Sequence, residues 1–271
     1  MRLRRAWWLL LLAACGSGGG TGGAVALRPR PQGAPDVVLL TLSGHTDVVS
    51  LLLCAEGDNT AYLGDPGDAA GEVAQAFAAL GLDVMVEHFA DRYRGVAGDP
   101  LRGGFLDLLD AMQALFDDWI DGVEDPTRLV LLCHSHGSNW AHIATSLLPR
   151  IPVDTLITLD GICTSWECEH DSALPASFPW NIADACARWS VPGQPGLLDT
   201  KDVVFPSVRV HIEVRSDDPF IRDDRANVRL DGTQRDLLTF FSAGESHGRV
   251  HESGSAALAF VAAAILATSP G

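Results

Sequence analysis

Basic residues are scarce in this chain. Nineteen Lys and Arg stand against 35 Asp and Glu, and the formal net charge is −16 over 271 residues. Such a deficit argues against a nucleic-acid backbone as partner. It also disfavours direct adhesion to anionic lipid headgroups. Long apolar runs are missing too: residues 6–14 and 255–267 are both apolar, and both are too short for a membrane span. No Cys-x-x-Cys pair occurs, which removes the common zinc-ribbon spacing. No internal repeat is apparent, so a solenoid is not expected.

What is present begins with an address. Met-Arg-Leu-Arg-Arg, a short apolar run and small residues make a secretory signal over residues 1–14. Leu12-Ala13-Ala14-Cys15 resembles the bacterial lipobox. That resemblance implies cleavage before Cys15 and lipid attachment to its sulfur; an ordinary signal with an Ala-x-Ala-like cut is the alternative. Residues 15–35 are rich in Gly, then Pro, and read as a flexible and then stiffer tether. Removing residues 1–14 takes Arg2, Arg4 and Arg5 and no acid, which lowers the net charge by three to −19. The expected location is the bacterial cell envelope, outside the cytoplasm, with the lipid as the only membrane contact.

The remaining stretch, 36–271, is about 235 residues, enough for one α/β domain with a full core. Apolar, β-rich runs at 36–43, 82–89, 129–133, 152–159, 207–216 and 236–242 read as strands. Helical apolar spacing covers 69–80, 104–120, 138–148 and 255–267. Strands alternating with helices predict a mostly parallel, doubly wound sheet covered on both faces. In such sheets ligands bind beyond the carboxyl ends of the strands. Residues 162–206, rich in Pro, Trp and Cys, are too long for a simple connection. They read as a lid or cap, or else as a surface excursion stapled by disulfides. Cys54, Cys163, Cys168 and Cys186 form an even set in an oxidising compartment, so at least one disulfide is expected there, with the pairing open. Cys133 sits in an apolar strand and reads as inert core.

The chemistry is concentrated at Cys133-His134-Ser135-His136-Gly137, where a buried strand meets a helix. Strand, sharp turn with a serine, then helix is the layout of a nucleophile elbow. Small residues are needed two places either side of the serine; Gly137 meets that need, and Cys133 is small without being glycine. The bland alternative is a capped helix start, with Ser135 or Ser138 bonding free N–H groups. A serine hydroxyl needs a histidine to take its proton and a carboxylate to orient that histidine. Acids at two strand ends, then His247 and His251, follow Ser135 in that order.

At this point the chain resembles the α/β-hydrolase superfamily, particularly its lipase-like members. Cys-His-Ser-His-Gly looks like the Gly-His-Ser-x-Gly of lipases. The segment ending in Asp160-Gly161 is similar to the acid-bearing Gly-Leu-Asp-Pro segment of pancreatic-type lipases. His247, with Val250 three residues later, resembles the histidine loop before the last helix. Ser43-Gly44-His45 resembles a short oxyanion turn, although it departs from the common His-Gly order. The resemblance implies Ser135 as nucleophile, His247 as base and Asp160 as acid, with Asp217 or Asp218 as the alternative acid. It also implies oxyanion donors from the backbone of His136 and His45. The expectation is a serine esterase or lipase-like hydrolase working through an acyl-enzyme on small-molecule or lipid esters. It needs no cofactor and no metal, because His134, His136 and His142 lack the spacing of common metallohydrolase loops. His88, His170 and His211 have no evident partner. A non-catalytic surface lipoprotein of the same fold is the rival. Acyl length and oligomeric state are not encoded legibly.

The lipobox yields one test. The expressed protein is expected to partition into detergent, and Cys15→Ser to release it. Absence of fatty-acid label at Cys15 would remove the lipoprotein assignment.

Overall fold

The computed structural model describes residues 26–46, 59–170 and 182–269. Strands β1 (Val37–Leu42), β2 (Val84–Phe89), β3 (Arg128–His134) and β4 (Val153–Leu159) come first in the chain. The short β5 (Val203–Val204), then β6 (Val208–Ser216), the short β7 (Val228–Arg229) and β8 (Leu237–Ser242) follow. Six of them form one sheet in the order β2-β1-β3-β4-β6-β8, and every pairing in it is parallel. β5 and β7 pair separately.

Successive side chains on a strand point to opposite faces, and here both faces are apolar. Val38, Leu40 and Leu42 of β1, with Leu129, Leu131 and Cys133 of β3, join one core. Helices Phe105–Leu115 and Gly137–Leu147 cover that side, contributing Phe105, Leu108, Met112, Trp140 and Ile143. Val37, Leu39, Val130 and Leu132 point the other way. There, helices Ala69–Ala78 and Ala256–Thr268 supply Val73, Phe77, Leu258, Val261 and Ile265. The closing helix starts on a serine cap: the Ser255 hydroxyl accepts from Leu258 N. The helix expected over 104–120 ends its α-helical part at Leu115, and its last turn, Phe116–Ile120, widens to a π-helix.

The described residues of the excursion at 162–206 do not include any that line the cavity holding Ser135. Its two ends pack into the body. Trp166 is fully buried, 4.8 Å from Trp140, which in turn stacks on Phe105 at 4.5 Å. At the far end, buried Lys201 reaches Asp202 at 2.5 Å and Asp223 at 2.9 Å. Large aromatic area and a paired charge pull both ends inward. Cys163 and Cys186 form a disulfide. Cys168 is disulfide-bonded as well. Residues 171–181 of the expected lid, residues 15–25 of the expected tether and Cys15 within them lie outside the described residues; the rest of the tether, 26–35, runs against the domain, where Arg28 N donates to Gly122 O at 2.8 Å.

Gly137 is where the fold tolerates no side chain. A Cβ there would run into the Leu42 carbonyl and lie 2.9 Å from the Ser43 carbonyl oxygen. Both are backbone atoms of the neighbouring strand end, so neither can rotate away. Gly137→Ala is expected to cost about 1–3 kcal/mol, the scale of core overpacking, read as a lower urea midpoint with unchanged slope. A neutral substitution would mean that β1 and the elbow do not pack this closely.

Candidate active site

Four strand ends meet at one edge of the sheet. After β3, Ser135 sits at φ 56°, a region that costs a non-glycine residue energy. After β4, Asp160 sits at φ 46°. The turn at Ser135 is held by Ser135 N donating to Leu159 O and by Ser138 N donating back to Ser135 O. Ser135 is 3 % exposed and lines a cavity of about 430 Å³ with His45, Tyr62, Asp218, His247 and His251. Gly44 allows the β1 loop to pass directly above it: a Cβ on Gly44 would come within 2.5 Å of Ser135 Cβ.

His247 Nδ1 lies 2.6 Å from Asp160 Oδ2. The same oxygen accepts from the Ser216 hydroxyl, and Oδ1 accepts from Ser216 N and Asp223 N, each at 2.9 Å. Burial pushes the Asp160 carboxyl up, but the His247 bond and charge and the two backbone and hydroxyl donors outweigh it. The net shift is below the usual carboxylate range. Of the three acids weighed from the sequence, Asp160 is the one in contact with the His247 ring. Asp218 is spent on its own turn, accepting from Phe220 N and Ile221 N, and reaches only the His247 backbone N–H, at 3.4 Å. Asp217 accepts from Gly244 N. Asp218 thus behaves as the turn residue its sequence implies, while Asp217 ties that segment to the loop after β8. Val250 is fully buried and holds the histidine loop down.

His134, the last residue of β3, has a ring that joins two loops. Its Nε2 is 3.0 Å from the His247 carbonyl oxygen, which can only accept, so Nε2 carries the proton. Nδ1 is therefore the acceptor for the Tyr62 hydroxyl, whose oxygen in turn accepts from Gly44 N at 3.0 Å. One chain of bonds thus joins the β1 loop, the elbow and the histidine loop. Burial holds the His134 imidazole well below its ordinary pKa, helped by the neighbouring His247 and His251, so it stays neutral. No sequence signal pointed to Tyr62. His251 is also engaged: its Nδ1 is 2.7 Å from Asp68 Oδ1, and its ring packs on Tyr62 and His134.

His136 and His45 flank the serine on the other side. His136 stands at the N-cap of the elbow helix, where backbone N–H groups have no partner within the helix. Its ring is buried against Asp91 and Glu169, at 3.3 and 3.2 Å. Burial alone would lower its pKa; the two carboxylates reverse that and raise it to about 9. Other histidines without an evident partner in the sequence have one in the fold. His170 bonds Asp91, His88 meets the Thr41 hydroxyl, and His211 meets the Thr158 hydroxyl. Cys133 is fully buried, and burial pushes its thiol up to about 11, so it is no nucleophile.

No protein-family model and no curated protein matches the chain. Among solved structures it is similar to the esterase domain of a Rhodothermus marinus protein, at 17% identity and a TM-score of 0.46, over 89% of each chain. It is similar to Est1E from Butyrivibrio proteoclasticus with ferulic acid bound, at 12% identity and a TM-score of 0.44, over 88% of this chain and 90% of that one. It is also similar to a putative hydrolase of the alpha/beta superfamily from Xanthomonas campestris pv. campestris, at 13% identity and a TM-score of 0.41, over 85% of this chain and 96% of that one.

Proposed function

We propose that this protein is a serine hydrolase of the α/β-hydrolase type that cleaves carboxylic esters. The observation that carries the proposal is the His247–Asp160 contact at 2.6 Å, beside a serine held at positive φ in the same cavity. In this mechanism Ser135 attacks the ester carbonyl while His247 Nε2 takes its proton. Asp160 holds the Nδ1–H tautomer and stabilises the imidazolium that forms. The oxyanion is met by the backbone N–H groups of His136 and His45. His247 then protonates the leaving alkoxide, and water repeats the sequence to release the acid. The cavity mixes aromatic rings with a few polar groups, which suits a small ester. Anchoring through lipid on Cys15 in the cell envelope belongs to the same proposal, and it would present this site to substrates outside the cytoplasm.

A fluorophosphonate probe tests the nucleophile. Covalent labelling at Ser135 is expected, and Ser135→Ala is expected to abolish both labelling and p-nitrophenyl ester hydrolysis while the far-UV spectrum is kept. A folded Ser135→Ala protein that retains most of its activity would sink the serine mechanism and leave the fold as a binding module.

Asp160 is tested separately. Replacing the orienting Asp by Asn in a serine-protease triad costs about 10⁴ in turnover, because the imidazole sits in the wrong tautomer. Asp160→Asn is expected to lower turnover by several orders of magnitude. Asp218→Asn, which touches only backbone, should cost about tenfold or less, a loss near 1.4 kcal/mol. Reversal of that ranking, with both variants melting normally, would assign the acid to Asp218.

A further inference from the structure

Behind the oxyanion side of the cavity lies a second cluster that the proposed reaction does not use. His45 comes from the loop after β1, Asp91 from the end of β2, His136 from the elbow and Glu169 from the helix Trp166–His170. One nitrogen or oxygen from each lies within 4.8 Å of all the others. The side chains of Asp91 and His136 are 0 % exposed, that of Glu169 1 % and that of His45 4 %.

The bonding around this cluster leaves one ligand atom of each residue facing the others. His136 Nε2 lies 2.7 Å from the Thr164 carbonyl oxygen, so Nε2 carries a proton and Nδ1 faces the two carboxylates. A backbone carbonyl that sets the tautomer of a histidine is the usual outer shell of a metal ligand. Asp91 Oδ1 is occupied by Trp140 Nε1 at 2.6 Å and His170 Nε2 at 3.0 Å, while its Oδ2 is buried and accepts no hydrogen bond. Neither ring nitrogen of His45 makes a hydrogen bond; Nε2 lies 2.6 Å from Glu169 Oε2 but off the line of one. Buried polar atoms without partners need a cause.

A comparison within the molecule sharpens the point. The other carboxylate cluster, Asp199, Asp202 and Asp224, has the Lys201 ammonium at its centre, at 3.9, 2.5 and 3.2 Å. Among the described residues, the ion partners of Asp91 and Glu169 are histidines alone. An imidazole that ligates a cation is neutral, so as ligands the two carboxylates and two histidines carry −2, the complement of a divalent cation. Ligand bonds of about 2.0–2.1 Å in a tetrahedron put neighbouring ligand atoms roughly 3.3 Å apart. His136 Nδ1 is already 3.2 Å from Glu169 Oε2 and 3.3 Å from Asp91 Oδ2. The short His45–Glu169 contact has to open and the widest pair to close.

We propose that His45, Asp91, His136 and Glu169 form a binding site for a zinc-class divalent cation. The imidazole and carboxylate donors suit zinc better than calcium or magnesium, which take oxygen ligands. Four protein ligands make it a structural site with no open position. The ion would pin the loop after β1 to the elbow and tie the helix Trp166–His170 to the end of β2. Its effect on the oxyanion donors rests on the proposed hydrolase mechanism; the binding itself does not.

The test uses the whole protein, stripped with a chelator and then titrated with zinc chloride by calorimetry, with elemental analysis after desalting. One zinc per chain is expected. At about a hundredfold excess over Kd the melting temperature should rise by roughly 5–10 °C. Glu169→Gln and His45→Ala should each abolish the stoichiometric zinc and the rise in melting temperature, whereas Asp199→Asn should keep both. Cobalt substituted into the unaltered protein should give the intense visible bands of a tetrahedral site, which needs no variant to fold. The proposal is overturned if the stripped protein binds no zinc, if calcium produces the same stabilisation, or if Glu169→Gln and His45→Ala bind zinc as the unaltered protein does. A protein that takes zinc but never reacts with fluorophosphonate would retain this site and lose the hydrolase reading.

Discussion

The Asp160 carboxylate organises the reactive edge of this protein. It is fully buried at the end of β4, and four donors converge on it: two from Ser216, one from Asp223 and one from His247. A buried carboxylate without such donors would be too costly to keep ionised. Its need for partners therefore draws in the end of β6, the loop beyond it and the histidine loop after β8. The same loop is linked to the excursion through Asp223, which also binds Lys201. Loss of the charge on Asp160 would release several segments, not one contact.

The second organising constraint is closeness of backbone. Gly44 and Gly137 bring the end of β1 against the elbow so tightly that neither can carry a Cβ without moving main chain. The positive φ at Ser135 and at Asp160 persists because neighbours on both sides hold it. The Gly44–Tyr62–His134–His247 chain of bonds then couples the β1 loop to the histidine loop across the serine. Histidines play three different parts around one hydroxyl. His247 is bonded to a carboxylate, His134 bridges two loops while neutral, and His136 carries its ring away into a dry acidic pocket.

Much of this was readable in the linear chain. Apolar runs such as 129–133 and 152–159 became β3 and β4, because two-sided burial demands continuous apolar residues. The Ser135 turn was legible from Gly137 and the abrupt end of the apolar run. The choice among Asp160, Asp217 and Asp218 leaned on local chemistry: Asp217-Asp218-Pro219 already reads as a turn, and the Asp218 side chain bonds as one. For the excursion at 162–206, length and aromatic content do not say whether tryptophans face a cavity or the core. Trp166 faces the core.

The sequence by itself determined the alternation of strands and helices, the strained serine turn and the order serine, acid, histidine. The first two depend on residues close together in the chain, where period, glycine placement and turn chemistry act locally, and the third is simply linear order. Only the tertiary structure decided that Asp160 meets the His247 ring, that Tyr62 and His134 join two loops, and that His45, Asp91, His136 and Glu169 face one another. Those contacts join positions as many as 124 residues apart, between His45 and Glu169, brought together by parallel strands ending at one edge. No local pattern encodes them, since a crossover connection fixes only which strands are neighbours, and the side chains meet where neighbouring strands stop.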